Sequence, residues 1–283
     1  MGALNTLREW NMTDTTSDPV WREYLEAAIP IARAAGDMLA ANIEGPRDIE
    51  MKGAINLVTE MDKRSEDMIM EGLTRAFPDF TIVAEEGSIH EAKERLAWYV
   101  DPLDGTTNYA HRLHVWCVSL GLLDKGVPIC GIVYHPMGRE LFTAVRGAGA
   151  FLGDRRLAIS NTAELTNALL ATGFPYDIRE SELDNLDHFA RFAKSARAIR
   201  RMGAAALDLA WTAAGRFDGF WEMKLSPWDC IAGALMCMES GGLVTDWHGN
   251  PFNPLKGEAI AANPILHSQI LEVIRKGRRP DAN

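Results

Sequence analysis

Apolar residues at Leu25, Ile29, Ala32, Ala35 and Leu39 recur at the period of a helix with one buried face. Asp18-Pro19 lies just ahead of them. An aspartate caps the first amides and a proline is tolerated at the first helical position, so the pair marks a helix start. Pro30 falls inside the pattern and predicts a kink. A second helix is predicted over residues 61–77, with Ile69, Leu73 and Phe77 on one face and Pro78 as its stop. The period then shortens. FTIVAEE and LAWYVD are apolar runs that end in acids, and HVWCVSLGLLDKGVPICGIVYHP reads as two strands joined at Asp124-Lys125-Gly126. ELFTAVRGAGAFLG continues the meander.

Beyond residue 160 strands and helices alternate. Strands are predicted at NALLATG, RAIRR and FDGFWE, and helices over 183–195 and 204–214. Ser226-Pro227-Trp228-Asp229 combines a serine cap, a first-turn proline and an acid at the third helical position, which is a strong start for a helix reaching about residue 240. GGLVTDWHG and EAIAAN read as closing strands, and Asn263-Pro264 opens a final helix. The fold class is α+β, with helical layers against sheets. Residues 1–17 read as a loose polar segment. An N-terminal half, 18–160, and a C-terminal half, 161–283, make one compact unit. No repeat or low-complexity segment interrupts it.

The composition narrows the function. At 283 residues, 47% hydrophobic and 24% charged, the chain can bury a large core. A formal net charge of -10 argues against direct nucleic-acid binding, and clustered acids attract divalent cations. Cys117, Cys130, Cys230 and Cys237 form no CxxC pair, which argues against zinc and points to a reducing cytoplasm. No signal-peptide pattern precedes the first helix, and the longest apolar stretch, 115–123, is too short to span a bilayer, so no membrane role is expected. MGALNT matches the myristoylation pattern, a short match that arises easily by chance. GAGAFLG is one residue too long for a dinucleotide loop and follows a meander strand, so its glycines are read as turn glycines. No P-loop is present.

Chemistry is suggested where apolar runs end in carboxylates: Glu85 and Glu86, Asp101 and Asp104, and Asp229 inside PWDCIAG. Burying several carboxylates together is costly unless cations neutralise them. Oxygen ligands with no Cys or His nearby favour Mg²⁺ before Ca²⁺ or Mn²⁺, and DPLDGTTN does not fit an EF-hand loop. Pro102 holds Asp101 extended, so that the two side chains diverge and expose the Leu103 carbonyl between them. The amides of Gly105 and Thr106 would then face an anion. Two hard cations about 3.5–4 Å apart are a standard device for activating water and stabilising a leaving oxygen. Each acid alone has a plainer explanation: Asp229 as a capping-box acid, Glu85-Glu86 as solvated strand ends, Asp101 and Asp104 as turn caps. His111 and His114 are read as surface or supporting groups rather than metal ligands. On spacing alone the three acid groups support a possible metal site and no more.

DPLDGTTNYAH and PWDCIAGALMCMESGG together resemble the paired signatures of the inositol monophosphatase family, and NLVTEMD (56–62) and IVAEEG (82–87) resemble two further motifs in the same order. The matches span about residues 52–263. The resemblance implies an α-β-α-β-α layered sandwich, a homodimer, and Mg²⁺-dependent, lithium-sensitive hydrolysis of phosphate monoesters. It implies Glu85, Asp101 and the Leu103 carbonyl on one ion, Asp101, Asp104 and Asp229 on a second, and a weaker third near Glu85, with Mn²⁺ as a possible substitute. Thr106 with Asp62 would orient and help deprotonate the attacking water, supported by Thr59. The Gly105 and Thr106 amides would bind phosphate. Glu222 and Asp104 would contact substrate hydroxyls, with Gly203, Ala204 and Ala205 lining the pocket. Leucine at 103 departs from the commoner isoleucine, but only its carbonyl is needed.

The implied activity is hydrolysis of inositol 1-phosphate. Histidinol phosphate or a broad range of sugar phosphates is the alternative, and Thr107-Asn108-Tyr109 after DGT favours the inositol branch. Two readings of another kind are a partner-binding regulator without catalysis and a metal-binding protein that has lost it. Intact Thr106 and Asp62 argue against the last.

Overall fold

The computed structural model describes residues 18–45, 49–51, 57–92 and 95–277. The segment 1–17, expected to be loose, lies outside them, as do residues 52–56 of the first motif region.

Helix α1 (Pro19–Asn42) begins where the pattern placed it, with Asp18 accepting a hydrogen bond from the Val20 amide at 3.0 Å. It continues unbroken through Pro30, which sits on the exposed face, while Ala28, Ala32, Ala35 and Leu39 are buried. Strands β1 (Ile49–Met51) and β2 (Leu57–Thr59) pair antiparallel and lead into α2 (Glu60–Ala76). The next strands are β3 (Thr81–Ala84), β4 (Ile89–His90) and β5 (Leu96–Asp104), followed by the short helix α3 (Thr106–Ala110). The meander then runs through β6 (Cys117–Asp124), β7 (Val127–His135), β8 (Glu140–Val145), β9 (Gly149–Leu152) and β10 (Arg155–Arg156). Together they form an eight-stranded sheet in the order β10-β9-β8-β7-β6-β5-β3-β4. The β6–β7 turn uses Lys125 and Gly126, both at positive φ, as a two-residue hairpin requires.

The second half contributes β11 (Leu169–Thr172), α4 (Leu186–Ser195), β12 (Ala198–Arg200), α5 (Ala205–Ala213) and β13 (Gly219–Met223). It closes with α6 (Pro227–Glu239), β14 (Leu243–Thr245), β15 (Glu258–Ala262) and α7 (Pro264–Gly277). Its five strands are ordered β12-β11-β13-β15-β14, with parallel and antiparallel neighbours mixed. Helices α1 and α2 cover one face of the large sheet. Helices α5 and α6 lie between the two sheets, and α4 and α7 close the far side. This is the expected α-β-α-β-α sandwich.

The layering explains why β6 and β7 are apolar on both faces, since helices cover both. Gly121 and Gly131 face each other across that pair. A methyl group on Gly121 would lie 2.4 Å from the Ile231 side chain, and one on Gly131 would lie 2.9 Å from the Ala232 backbone. The two glycines form the notch that lets α6 approach, and α6 carries Asp229. All four cysteines are free and buried.

Two boundaries differ from expectation. The helix predicted over 183–195 starts only at Leu186, because Asn185 takes a left-handed conformation with φ of 70°. Its buried carboxamide donates to Thr172 Oγ1 and the Gly173 carbonyl at 2.9 and 2.7 Å and accepts from Trp221 Nε1 at 2.8 Å. In GGLVTDWHG the strand ends at Thr245, because Asp246 accepts from the His248 and Asn250 amides and turns the chain. Apolar periodicity is blind to both polar anchors.

Candidate active site

The pairing of β5 with β6 accounts for DPLD. Asp101 faces Ser119 and Asp104 faces Cys117, so three steps on one strand match two on the other. Side chains alternate along a strand, which would put residues three apart on opposite faces. The extra residue is a bulge, and it returns Asp104 to the face of Asp101. Pro102, which cannot donate to the ladder, sits within it. The Leu103 amide donates to Asp101 Oδ1 at 3.0 Å and Ser65 Oγ donates to the Pro102 carbonyl at 2.7 Å, which fixes the distorted segment.

Gly105 follows with φ of 93°. A methyl group there would lie 3.0 Å from the Val115 carbonyl and 3.2 Å from that of Gly203, so glycine is needed twice over. The chain turns directly into α3, and Thr106 Oγ1 comes 2.8 Å from Asp62 Oδ1 and 3.1 Å from the Leu103 carbonyl. One hydroxyl proton cannot serve both fully, and the carboxylate offers the shorter, charge-assisted bond. Asp62 Oδ2 in turn accepts from the Thr59 amide and hydroxyl at 2.8 and 2.5 Å. This is the capping box of α2, so the cap that starts the helix also orients Thr106.

Asp104 does a second job. Its Oδ1 accepts from the Ala205 amide at 3.0 Å, and its Oδ2 from Ala206 at 2.9 Å and Leu207 at 3.3 Å. Ala204, at the cap position of α5, has no side chain to do this. An acid from the other half of the chain therefore satisfies the first-turn donors of α5. Cys117 donates to the same oxygen at 3.4 Å. Asp229 Oδ2 accepts from the Ser226 amide at 2.7 Å, so the capping-box reading holds, and Asp229 lines the cleft as well.

Glu85, Asp101, Leu103, Asp104, Gly105, Thr106, Gly203, Ala204, Ala205, Glu222 and Asp229 all line one cleft with a cavity volume of about 110 Å³. Asp62 and Thr59 stand behind Thr106. His111 and His114 are exposed and are not among the lining residues. The sequence reading missed Arg201, Asp208, Tyr176 and Trp228, which line the same cleft. It also missed Glu66, which accepts from the Glu86 and Ser88 amides at 2.7 and 3.1 Å and so holds the turn after Glu85. Four residues after Asp62 on α2, it shares that helix face, which was the available signal.

Burial raises the pKa of Asp101 well above the usual carboxylate range, and the charges of Glu85, Asp104 and Asp229 add to the effect. Burial and then Glu85 and Asp104 do the same to Asp229. Asp104 is pushed up to about 6 by burial, against its bonds from Cys117 and the α5 amides. Glu222 is pushed up to about 8 by burial, with Arg201 opposing. Tyr176 is largely exposed at the mouth, yet its phenol is raised by the protein around it and then by Glu85, Asp229, Asp101 and Asp104.

These acids fit hard divalent cations. Among the described residues no Lys, Arg or His forms an ion pair with Asp101, Asp104 or Asp229. The thiols beside them are occupied as donors, Cys117 to Asp104 and Cys230 to the Ser226 carbonyl, and no histidine lines the cleft. Among the described residues no three His, Cys, Asp or Glu side chains stand close enough together to form a metal-binding group.

Carboxyls whose folded pKa is raised contribute stability that is full below their unfolded pKa and is lost as pH rises through the folded value. For Asp104 and Glu222 that window runs from about 4 to about 8. Metal-free protein should therefore melt several degrees lower at pH 8.5 than at pH 6, on the order set by a few kcal/mol. Saturating Mg²⁺ should raise the melting temperature, and by more at the higher pH. Differential scanning fluorimetry with and without chelator reads both; a Mg²⁺ effect that shrinks with pH would contradict the assignment.

Comparison with known proteins agrees with the geometry. The model of the inositol monophosphatase family matches residues 20–279. The Nus factor SuhB of Escherichia coli K12 is 40% identical over 254 residues, covering 89% of this chain and 95% of its own. The inositol-1-monophosphatase of Synechocystis is 39% identical over 253 residues, covering 89% and 88%. The structure of inositol monophosphatase from Anabaena superposes with a TM-score of 0.83 at 38% identity, covering 93% of this chain and 99% of that one. No helix among the described residues is long and apolar enough to cross a membrane. With the fold, the order of its motifs and these relatives in agreement, the chain belongs to the inositol monophosphatase family.

Proposed function

We propose that the protein hydrolyses a phosphate monoester with Mg²⁺, and that inositol 1-phosphate is its substrate. The observation that carries this is the β5 bulge, which aims Asp101 and Asp104 at the cleft shared with Glu85 and Asp229, beside the Thr106–Asp62 bond. Glu85, Asp101 and the Leu103 carbonyl would hold one cation, and Asp101, Asp104 and Asp229 a second. When bound, such ions supply Lewis-acid activation of a water and charge stabilisation for the departing oxygen.

The chain's own residues do the rest. Thr106 donates to Asp62, which leaves its oxygen lone pairs to accept from the attacking water. As the water oxygen bonds to phosphorus and the bond from phosphorus to the substrate's alkoxide oxygen breaks, the water's proton passes to Thr106 while the Thr106 proton passes to Asp62, and the departing alkoxide takes its proton from solvent. Thr59, donating twice to the other Asp62 oxygen, keeps the carboxylate aimed. The amides of Gly105 and Thr106, at the start of α3, face the phosphate, since first-turn amides have no partner within a helix. Glu222 on β13 takes a hydroxyl of the leaving group.

Support for inositol over other leaving groups comes from Glu222 and from the Synechocystis relative. Support from Thr107-Asn108-Tyr109 weakens, because Thr107 is exposed while Asn108 donates to the Val115 and Met202 carbonyls and Tyr109 to that of Leu39. These residues fasten α3 and do not line the cleft. The test is phosphate release with Mg²⁺ from inositol 1-phosphate, histidinol phosphate and fructose 1,6-bisphosphate side by side. A preference for the first supports the assignment, and a preference for histidinol phosphate replaces it. The name Nus factor on the Escherichia coli relative favours a second reading, a protein partner, with the net charge of -10 against direct nucleic-acid contact. A partner captured equally by Asp104→Asn protein would support that role.

A further inference from the structure

We infer that Glu66 and Ser65, neighbours on α2, are positioning residues that set the affinity of the cation site assigned to Glu85, Asp101 and the Leu103 carbonyl. The inference rests on the metal reading above and deepens it, since neither side chain is among the proposed ligands.

The turn that carries Glu85 sits at the tip of a small hairpin. Strand β4 has two residues and lies at the edge of the large sheet beside β3. Every amide from 85 to 88 has a partner. That of Glu85 donates to the Val100 carbonyl at 3.1 Å and that of Gly87 to the Ala84 carbonyl at 3.3 Å. The other two go to one side chain. Glu86 donates to Glu66 Oε2 at 2.7 Å and Ser88 to Glu66 Oε1 at 3.1 Å. Glu66 is 3% exposed and forms no ion pair among the described residues. A buried carboxylate beside two further acids, Glu85 and Glu86, is costly. A neutral side chain could close a turn without adding charge. What a carboxylate offers is two acceptors and no donor, so it grips two amides at once. It therefore ties the Glu85 turn to α2 at two points.

The residue before it ties down the other ligands. Ser65 is fully buried, and its Oγ donates at 2.7 Å to the Pro102 carbonyl, which lies between Asp101 and Leu103. Strands β3 and β5 run parallel with Ala84 opposite Val100, so Glu85 and Asp101 leave the ends of neighbouring strands. Carboxylates so placed repel. A cation can bridge them only where the backbone resists that repulsion, and here both strand ends are fastened to adjacent residues of one helix. Asp62, one turn earlier on the same face, holds Thr106 through a separate bond. Loosening Glu66 or Ser65 should therefore reach the cation and spare the proton transfer.

The test compares full-length wild type, Glu66→Gln and Ser65→Ala. Glutamine keeps the shape but sets an NH₂ donor against one backbone N–H, so one of the two ties is lost. In metal-free Glu66→Gln, hydrogen exchange at the Glu86 or Ser88 amide should quicken about tenfold. Calorimetry should show Mg²⁺ binding weakened about tenfold in either variant, the scale for partners that orient metal ligands. The kcat for phosphate release at saturating Mg²⁺ should stay within about threefold of wild type. Mg²⁺ affinity within twofold of wild type in both variants would show these contacts to be structural only and overturn the inference. So would a collapse of kcat at saturating Mg²⁺ with affinity retained, which would place both residues with Thr106. Should Glu66→Gln fail to fold, Ser65→Ala decides by the same two numbers. If wild type binds Mg²⁺ but releases no phosphate, the phosphatase reading fails while the affinities still decide this inference. If wild type binds no Mg²⁺, the metal reading and this inference fall together.

Discussion

Asp104→Asn should reduce Mg²⁺-dependent phosphate release by about 10³-fold, the scale of losing a principal source of transition-state stabilisation. Asparagine is the informative substitute. Asp104 accepts from the Ala205, Ala206 and Leu207 amides as well as facing the cleft. An alanine would strip the cap from α5, at a cost of about 0.5–2 kcal/mol, and would confuse a folding effect with a chemical one. Asparagine keeps one acceptor for the helix and removes the charge that would hold a cation. Circular dichroism and melting should stay near wild type while turnover collapses. Calorimetry should show weaker Mg²⁺ binding. A variant that binds Mg²⁺ as wild type does and turns over within about tenfold of it would remove Asp104 from the site.

Thr106→Val should lower kcat by about 10²–10³-fold with KM little changed, the range for a positioned proton-transfer group. Valine matches threonine in shape, so α3 and the turn at Gly105 should persist. What is lost is the hydroxyl between the cleft and Asp62 Oδ1. Thr106→Ser, which keeps it, should stay within about tenfold of wild type. The contrast with Asp104→Asn is diagnostic, because Mg²⁺ binding should survive Thr106→Val. Steady-state kinetics beside a Mg²⁺ titration separates the two. Equal loss of Mg²⁺ affinity in both variants would mean that Thr106 supports the metal site and does not handle the proton.

Much of the architecture was legible because it follows from periodicity. The apolar repeat of α1, the paired runs around Asp124-Lys125-Gly126 and the serine-proline-acid start of α6 are local signals, and each produced its element. The site was legible in another way: DPLDGTTNYAH, PWDCIAG and NLVTEMD gathered residues that no local rule would join. What stayed hidden depends on contacts across the chain. Nothing near Ala204 says that its helix is capped from β5. Pro102 was read as spreading two aspartates. The strand pairing shows its residue as part of a bulge that returns both to one face, which only the partner strand β6 reveals. Asn185 delayed α4 for the same kind of reason, since its partners Thr172, Gly173 and Trp221 come from β11, its end and β13.

The most direct test is phosphate release from inositol 1-phosphate by the full chain, measured with saturating Mg²⁺ and again after chelation. The account predicts steady release that stops on chelation and returns when Mg²⁺ is restored. Release that continues undiminished without divalent ions, or none at all while calorimetry shows Mg²⁺ bound, would contradict it.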